Sequence, residues 1–403
     1  MTKAVDLLRG IGRSRWLDVG AAVIAAFSVV CIARLLPTRA RKNDFAHYYV
    51  ARQLLFDSPN PYTTSMAPMY AQFGFDSENT LPRCTDPPAM LWLFAPLESL
   101  TPLVAYGIWV GVEITSLVAI LWLTRWLLRG RLSTRGWLFL CAGALASEAV
   151  YRDFYFSQIQ LLLAALLLGA YAVQQRARYL TACLMVTAAG LLKLYPFILL
   201  PWFVWRSEGG EKGRLGRAVT VILVIAVCVW LTGWNLWVDF YRDALPVIAD
   251  FGKRSLGSFG ISSFAAKFGP GMQTVGSFIG LAFVGPGYWS CLRARGDRES
   301  EFCLLSVAML LGGLVVWPHY LVFMIFPMAV AAVHIAAEPS LPRIVLYAVA
   351  ALWLNEADTK TTTFLHQHPG LEALLNYQLL YAMLMLWSLF FLVMKRSWRA
   401  GAV

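Results

Sequence analysis

The sequence predicts an all-α polytopic membrane protein, and three observations carry that expectation. Hydrophobic residues fill 59% of 403 positions, charged residues only 14%, and mean hydropathy is +0.60. The apolar residues come in long runs, many of them near the roughly 20 residues a helix needs to cross the hydrocarbon of a bilayer. Lys and Arg collect in short clusters between those runs, so the net charge of +11 reflects membrane orientation and excludes nucleic acid as a partner. The seven cysteines are scattered, and all but Cys84 lie in or beside apolar stretches, which predicts neither a disulfide framework nor a metal site with close ligand spacing.

The elements follow in order. An apolar run over 17–36 comes after Lys3, Arg9, Arg13 and Arg15 and ends in Pro37-Thr38-Arg39 without a small-residue cleavage pattern, so it is read as a retained anchor. Basic clusters at the N-terminal arm, Arg125 to Arg135, Arg176 and Arg178, Arg206 to Arg217, Arg293 to Arg298, and Lys395 to Arg399 mark the cytoplasmic side. Parity then places an external loop over 37–101. A span over 102–124 returns, while 89–100, between Pro87-Pro88 and Pro102, reads as an amphipathic helix on the outer interface. Spans near 137–150 and 157–175 turn outside through 147–154. The stretch 179–205 lies between two basic clusters and must cross an even number of times, so it is predicted to be two short helices breaking at Lys193-Leu194-Tyr195-Pro196. Broken helices at membrane depth are tolerated only where the backbone is buried in protein or lines a wet cavity, which directs the break towards a site. A span near 218–234 leads to a polar external loop over 235–273, and spans near 274–292, 301–317, 319–337, 342–354 and 373–394 bring the total to about twelve, with both termini cytoplasmic. No internal repeat divides the chain, so 1–403 is one membrane domain.

On this topology the unusual polar residues gather at the outward helix ends: Asp44, His47 and Tyr48; Arg83 and Asp86; Glu148, Arg152, Asp153, Gln158 and Gln160; Lys193 and Tyr195; Lys253 and Arg254; and His319. The basic members run against the positive-inside rule. A cationic, aromatic-lined cavity open to the outside accounts for them together, and its natural guest is a phosphate or pyrophosphate joined to a lipid. Each member also has a plain reading. Asp44 serves equally well as a helix cap or as half of a surface ion pair with Arg41 or Lys42. Lys193 can snorkel to the interface, His319 can cap the following span, and Arg83 can pair with Asp86.

Sugar transfer from a polyprenyl-phosphate donor requires a carboxylate to take the acceptor hydroxyl proton, cations to hold the phosphate as charge develops on it, and a groove for the lipid tail. Asp44 is the expected base, because it follows the first span at a short fixed distance. Lys193, Arg83, Arg152 and His319 are expected at the donor phosphate, with His47, Tyr48, Asp86, Gln158, Gln160, Tyr195, Lys253 and Arg254 lining the cavity. No nucleophile with a paired base is present, so single displacement with inversion is expected. No close pair of acidic ligands calls for a metal, and no cofactor is expected. A secondary transporter or lipid-sugar flippase is the rival from another class, although such proteins usually carry repeated halves and ionisable groups near mid-bilayer.

The succession Asp44-Phe45, Asp57-Ser58-Pro59-Asn60-Pro61-Tyr62, Pro87-Pro88 with Leu93-Phe94-Ala95-Pro96-Leu97, Ser157-Gln158-Ile159-Gln160, Lys193-Leu194-Tyr195-Pro196 and His319-Tyr320-Leu321 resembles glycosyltransferase family 87. No single motif is specific; their order over about residues 40–330 is. The resemblance implies a GT-C fold and mannose transfer from polyprenyl-phosphate-mannose to a glycolipid acceptor. It is greatest to members that extend phosphatidylinositol mannosides through α-1,2 linkages. It implies Asp44 as base, His319 as its catalytic or donor-phosphate partner, and a site on the outer face of a bacterial plasma membrane. An arabinofuranosyl donor remains an alternative, since sugar identity depends on a few hydrogen bonds. Many family members carry Gly before the Gln that opens the fourth span, where this chain has Ser157. Acceptor, prenyl length and oligomeric state are not encoded legibly.

Overall fold

A computed structural model describes residues 15–41, 44–58, 60–76, 82–206, 208–254, 258–269, 271–293, 297–354 and 377–400. All regular structure among them is helical. Helix α1 (Arg15–Arg39) buries little beyond Ala21 and Ile32 and exposes Val23, Ile24, Phe27, Val29 and Val30, the pattern of a helix whose surroundings are apolar. After it come α2 (Asp44–Asp57), α3 (Ala67–Gln72) and α4 (Pro88–Leu93), the last continued by a short 3₁₀ turn (Ala95–Leu97). The interfacial helix expected over 89–100 is therefore a single α turn and a half with a 3₁₀ extension, cut short by Pro96.

Helix α5 (Pro102–Leu127) opens with proline in its first turn, where the missing N–H costs nothing. Where one span was expected over 137–150 there are two pieces, α6 (Thr134–Ala146) and α7 (Glu148–Phe156). Ser147 ends the first and caps the second, its Oγ accepting the Val150 N–H at 3.2 Å. Then follow α8 (Gln160–Gln174), α9 (Tyr179–Leu192), a 3₁₀ turn (Tyr195–Leu199) and α10 (Leu200–Trp205), so the expected break at Lys193 to Pro196 is present. Helices α11 (Gly210–Thr232), α12 (Trp234–Asp239), a π turn (Phe240–Ala244), α13 (Leu245–Arg254) and α14 (Ile261–Ala266) lead to α15 (Met272–Arg293) and α16 (Arg298–Leu311). The span expected over 301–317 stops at Leu311. Non-helical backbone follows, then a 3₁₀ segment (Pro318–Met324) feeding α17 (Ile325–Ala337), with α18 (Leu341–Leu354) and α19 (Gln378–Ala400) completing the described chain.

By length and composition, six stretches among the described residues can cross a membrane: Arg15–Leu55, Pro102–Leu127, Gly210–Thr232, Met272–Arg293, Pro318–Ala337 and Gln378–Lys395. The count of about twelve leans on shorter apolar helices such as α8, α9 and α18, whose 14 or 15 residues span only about 21–23 Å of a core roughly 30 Å thick.

Packing explains the short helices. Helix α16 is buried at every position from Ser300 to Leu311, and α8 on most of its faces, so both lie inside the bundle. Tyr171 of α8 stacks on Phe302 of α16 with centroids 4.7 Å apart. Glycines permit the closest approach: a Cβ on Gly276 would lie 2.6 Å from Ala265 Cβ, and one on Gly280 would lie 2.6 Å from the Leu311 carbonyl oxygen. This small-xxx-small spacing seats α15 directly against α14 and the end of α16. The two irregular segments, 193–199 and 312–324, are mostly half-buried or buried, with Leu314 exposed.

Candidate functional site

The site forms where α2, the loop before α4, the α7–α8 turn and the two irregular segments meet. Ser157 carries the turn. Its backbone is left-handed (φ 49°, ψ 59°), the conformation glycine adopts freely, so serine there holds a strain of about 1–2 kcal/mol. Trp109 Nε1 donates to its carbonyl at 3.2 Å, and the Gln158 N–H bonds back to the Asp153 carbonyl at 3.0 Å. The turn that glycine was expected to provide is kept without it.

That turn aims Gln158 at α2. Its Nε2 donates to the Asp44 carboxylate, and its Oε1 accepts the Tyr48 hydroxyl at 2.7 Å. Asp44 and Tyr48 are four residues apart on one helix and so share a face. One buried amide therefore fixes both the carboxylate and the phenol.

Next to this trio lies an ion cluster. Lys193 Nζ bonds Asp86 Oδ1, while His47 Nε2 lies 3.2 Å from Asp86 Oδ2. His47 Nδ1 is 3.2 Å from the Tyr70 hydroxyl, and the Tyr62 hydroxyl donates to the Asp86 carbonyl at 3.1 Å. Burial alone would raise the Asp86 carboxyl, which is 1% exposed, but Lys193 and His47 outweigh it and hold the group well below its ordinary range. Lys193 reaches this place because α9 stops at Leu192 and the chain becomes extended at residue 193 (φ −148°, ψ 130°). Its ammonium also sits 5.9 Å from the Tyr48 ring centroid, tying the ion cluster to the first trio.

The third component is His319, at the start of the 3₁₀ segment opened by Pro318 and 5% exposed. Its Nδ1 is buried and has no hydrogen-bond partner among the described residues, and the same holds for the hydroxyl of Tyr195. Rings run from Phe156 through His319 (5.9 Å) and Tyr320 (5.0 Å) to Tyr195 (5.3 Å). Lys193 acts electrostatically on both Asp44 and His319, and Tyr320 lies within the fields of Asp44, Asp86 and Lys193. Gln160 is fully buried and faces Tyr320.

The structure thus brings together Asp44, His47, Tyr48, Asp86, Gln158, Gln160, Lys193, Tyr195 and His319. Arg152 stands at the edge, paired with Glu148 on its own helix yet close enough to repel a charged His319. Arg83 is exposed, and the structure does not bring it into the cluster. Arg83 was expected at the donor phosphate, with a pairing to Asp86 as the plain alternative; the Asp86 carboxylate is taken by Lys193. The side chains of Lys253 and Arg254 lie outside the described residues. Two groups escaped the sequence reading. Tyr320 was passed over beside His319. Glu113, in the middle of α5, is 1% exposed, neither of its carboxylate oxygens has a hydrogen-bond partner among the described residues, and it lies within the field of the equally buried Asp153. Its signal was present, since a lone acid in an apolar span marks function by default. Among the described residues no group of three His, Cys, Asp or Glu side chains is arranged to hold a metal ion.

The sequence model of glycosyltransferase family 87 matches residues 85–318. The chain belongs to glycosyltransferase family 87. No curated protein and no solved structure matches it. For this family 87 glycosyltransferase, the matched stretch contains Asp86, Arg152, Gln158, Gln160 and Lys193; it begins after Asp44 and ends one residue before His319. Membership therefore rests on the middle of the site, while the two flanking groups enter it through the fold.

Proposed function

We propose that the chain is an inverting transferase that moves mannose from polyprenyl-phosphate-mannose to a glycolipid acceptor such as a phosphatidylinositol mannoside, forming an α-1,2 linkage on the outer face of the plasma membrane. The observation that carries this reading is the convergence of Asp44, Lys193 and His319 at one end of an apolar helical bundle, although the three lie in distant parts of the chain.

Each residue has a task. Asp44, oriented by Gln158, takes the proton of the acceptor hydroxyl as that oxygen attacks the anomeric carbon. The bond from that carbon to the phosphate oxygen breaks in the same displacement, and polyprenyl phosphate leaves with the electron pair. Lys193 and the unpartnered nitrogen of His319 face the developing negative charge, and their partial burial strengthens that interaction relative to water. The Lys193–Asp86–His47 pairing keeps the ammonium in place before substrate arrives, so little reorganisation remains for the reaction itself. The reading calls for no metal, because cations already present can manage the leaving group.

The test uses purified protein in vesicles with donor and acceptor lipid. Asp44→Asn keeps the size of the side chain and should retain the wild-type melting temperature while lowering turnover by about 10³-fold or more. Undiminished transfer by that variant would sink the assignment of the base. Accumulation of lipid-linked sugar in the lumen without a new glycosidic bond would favour transport instead.

A further inference from the structure

A second cationic feature lies at the other end of the ring series from Lys193. Arg39 closes α1, and its guanidinium carbon is 3.3 Å from the Tyr155 ring centroid; that of Arg152 is 5.8 Å from the same centroid. The two guanidiniums are near enough to repel each other. Glu148 pairs with Arg152, and among the described residues no carboxylate pairs with Arg39. The positive charge of Arg39 is therefore the one that a phosphodiester anion would neutralise.

Position argues for a lipid headgroup. Helix α1 is 25 residues long and apolar around its circumference, long enough to cross the hydrocarbon, so Arg39 at its end stands at the level of lipid phosphates. From Tyr155 the rings continue through Phe156 (4.8 Å) to His319, Tyr320 and Tyr195, so the reacting centre lies between Arg39 at one end and Lys193 at the other. Single displacement requires both lipid-linked substrates to be bound at once, and the donor phosphate belongs with Lys193.

Building on the function proposed above, we infer that Arg39 and Arg152, gathered on Tyr155, bind the phosphodiester of an anionic glycolipid acceptor, with its glycan lying along the ring series towards Asp44. Arg152 thereby passes from the donor phosphate, where the sequence placed it, to the acceptor.

Two synthetic acceptors test this, carrying the same glycan joined to diacylglycerol either through a phosphodiester or directly. With donor saturating, Arg39→Gln should raise KM for the phosphodiester acceptor roughly ten-fold, leaving kcat, donor KM and the KM of the neutral acceptor within about two-fold. Arg39→Lys should restore most of the affinity, and Arg152→Gln supplies an independent variant with the same selectivity. An equal rise in KM for both acceptors, or no rise for either, overturns the inference. Glycerol phosphate should compete with the acceptor in wild type and not in Arg39→Gln; competition only by anionic vesicles lacking glycan would assign the arginines to bulk lipid and also overturn it. Should wild type turn over neither acceptor, the transferase reading fails on its own. Titration of the two glycolipids against tryptophan fluorescence then still decides the site, because Arg39→Gln must weaken binding of the phosphodiester lipid alone.

Discussion

Two buried ion pairs hold opposite parts of this bundle, and they are built differently. Around Arg206, at the end of α10, every acceptor is filled. Its Nε and terminal nitrogen reach Glu301 at 2.8 and 2.5 Å, a further bond goes to the Cys291 carbonyl, and Trp202 Nε1 donates to Glu301 at 2.8 Å. Around Lys193 and Asp86 the pairing is also direct, but nearby the Tyr195 hydroxyl and His319 Nδ1 have no hydrogen-bond partner among the described residues. Buried polar atoms left without partners cost about 1–3 kcal/mol each, so a structural network fills them and a site keeps them for substrate. Between these two pairs, saturation rather than the presence of buried charge is what differs.

Paired variants can break that comparison. On the proposed mechanism Lys193→Met should lower turnover about 10³-fold, because it removes the preorganised cation assigned to the leaving phosphate. Adding Asp86→Leu should recover stability by removing the stranded carboxylate, yet not recover turnover. At the other pair, Arg206→Met should cost about 3–5 kcal/mol by leaving Glu301 buried and alone, and Arg206→Met with Glu301→Leu should return both melting temperature and transfer to near wild type. Melting in detergent and a transfer assay on all four proteins suffice. Were the Arg206 double variant stable but inactive, saturation would no longer mark scaffold.

The sequence made the break at Lys193 legible because proline and a basic residue within an apolar stretch both carry local signals. Family membership was legible from the order of short motifs, and so was the gathering of Asp44, Gln158, Lys193 and His319. Partner choice was not. Arg83 is three residues from Asp86 in sequence, yet Lys193, 107 residues away, takes the carboxylate, because the loop before α4 packs against the end of α9 and leaves Arg83 at the surface. Helix ends were equally hard to read. Apolar composition continues past Leu311, and only the packing of Gly280 against Leu311 and the turn to Pro318 stop α16 where it stops. The Ser157 turn shows the limit of reading residue type as conformation, since bonds from Trp109 and to the Asp153 carbonyl hold a left-handed serine.

A smaller effect sharpens the view of Gln158 as the group that orients the base. Tyr48→Phe removes the hydroxyl that Gln158 Oε1 accepts and leaves Asp44 its other bond, so the loss should be about ten-fold in kcat, near 1.4 kcal/mol, with KM for both substrates little changed. An unchanged kcat would mean that the amide is held by its turn alone.

The smallest effect at working pH concerns Asp86, and it appears only in acid. Its folded carboxyl titrates below the ordinary value of 3.8, so the charged form is the one the fold favours. Stability from that preference is fully present above the ordinary value and is lost as pH falls through it towards the folded value. Melting temperature should therefore be nearly flat from neutral pH to about 5 and decline below about 4, and part of that decline should vanish in the Lys193→Met, Asp86→Leu protein, which has no carboxylate there to protonate. The Arg206 double variant keeps Asp86 and should keep that part of the decline. If both double variants kept the whole decline equally, the acid sensitivity would belong to the bundle at large and not to Asp86.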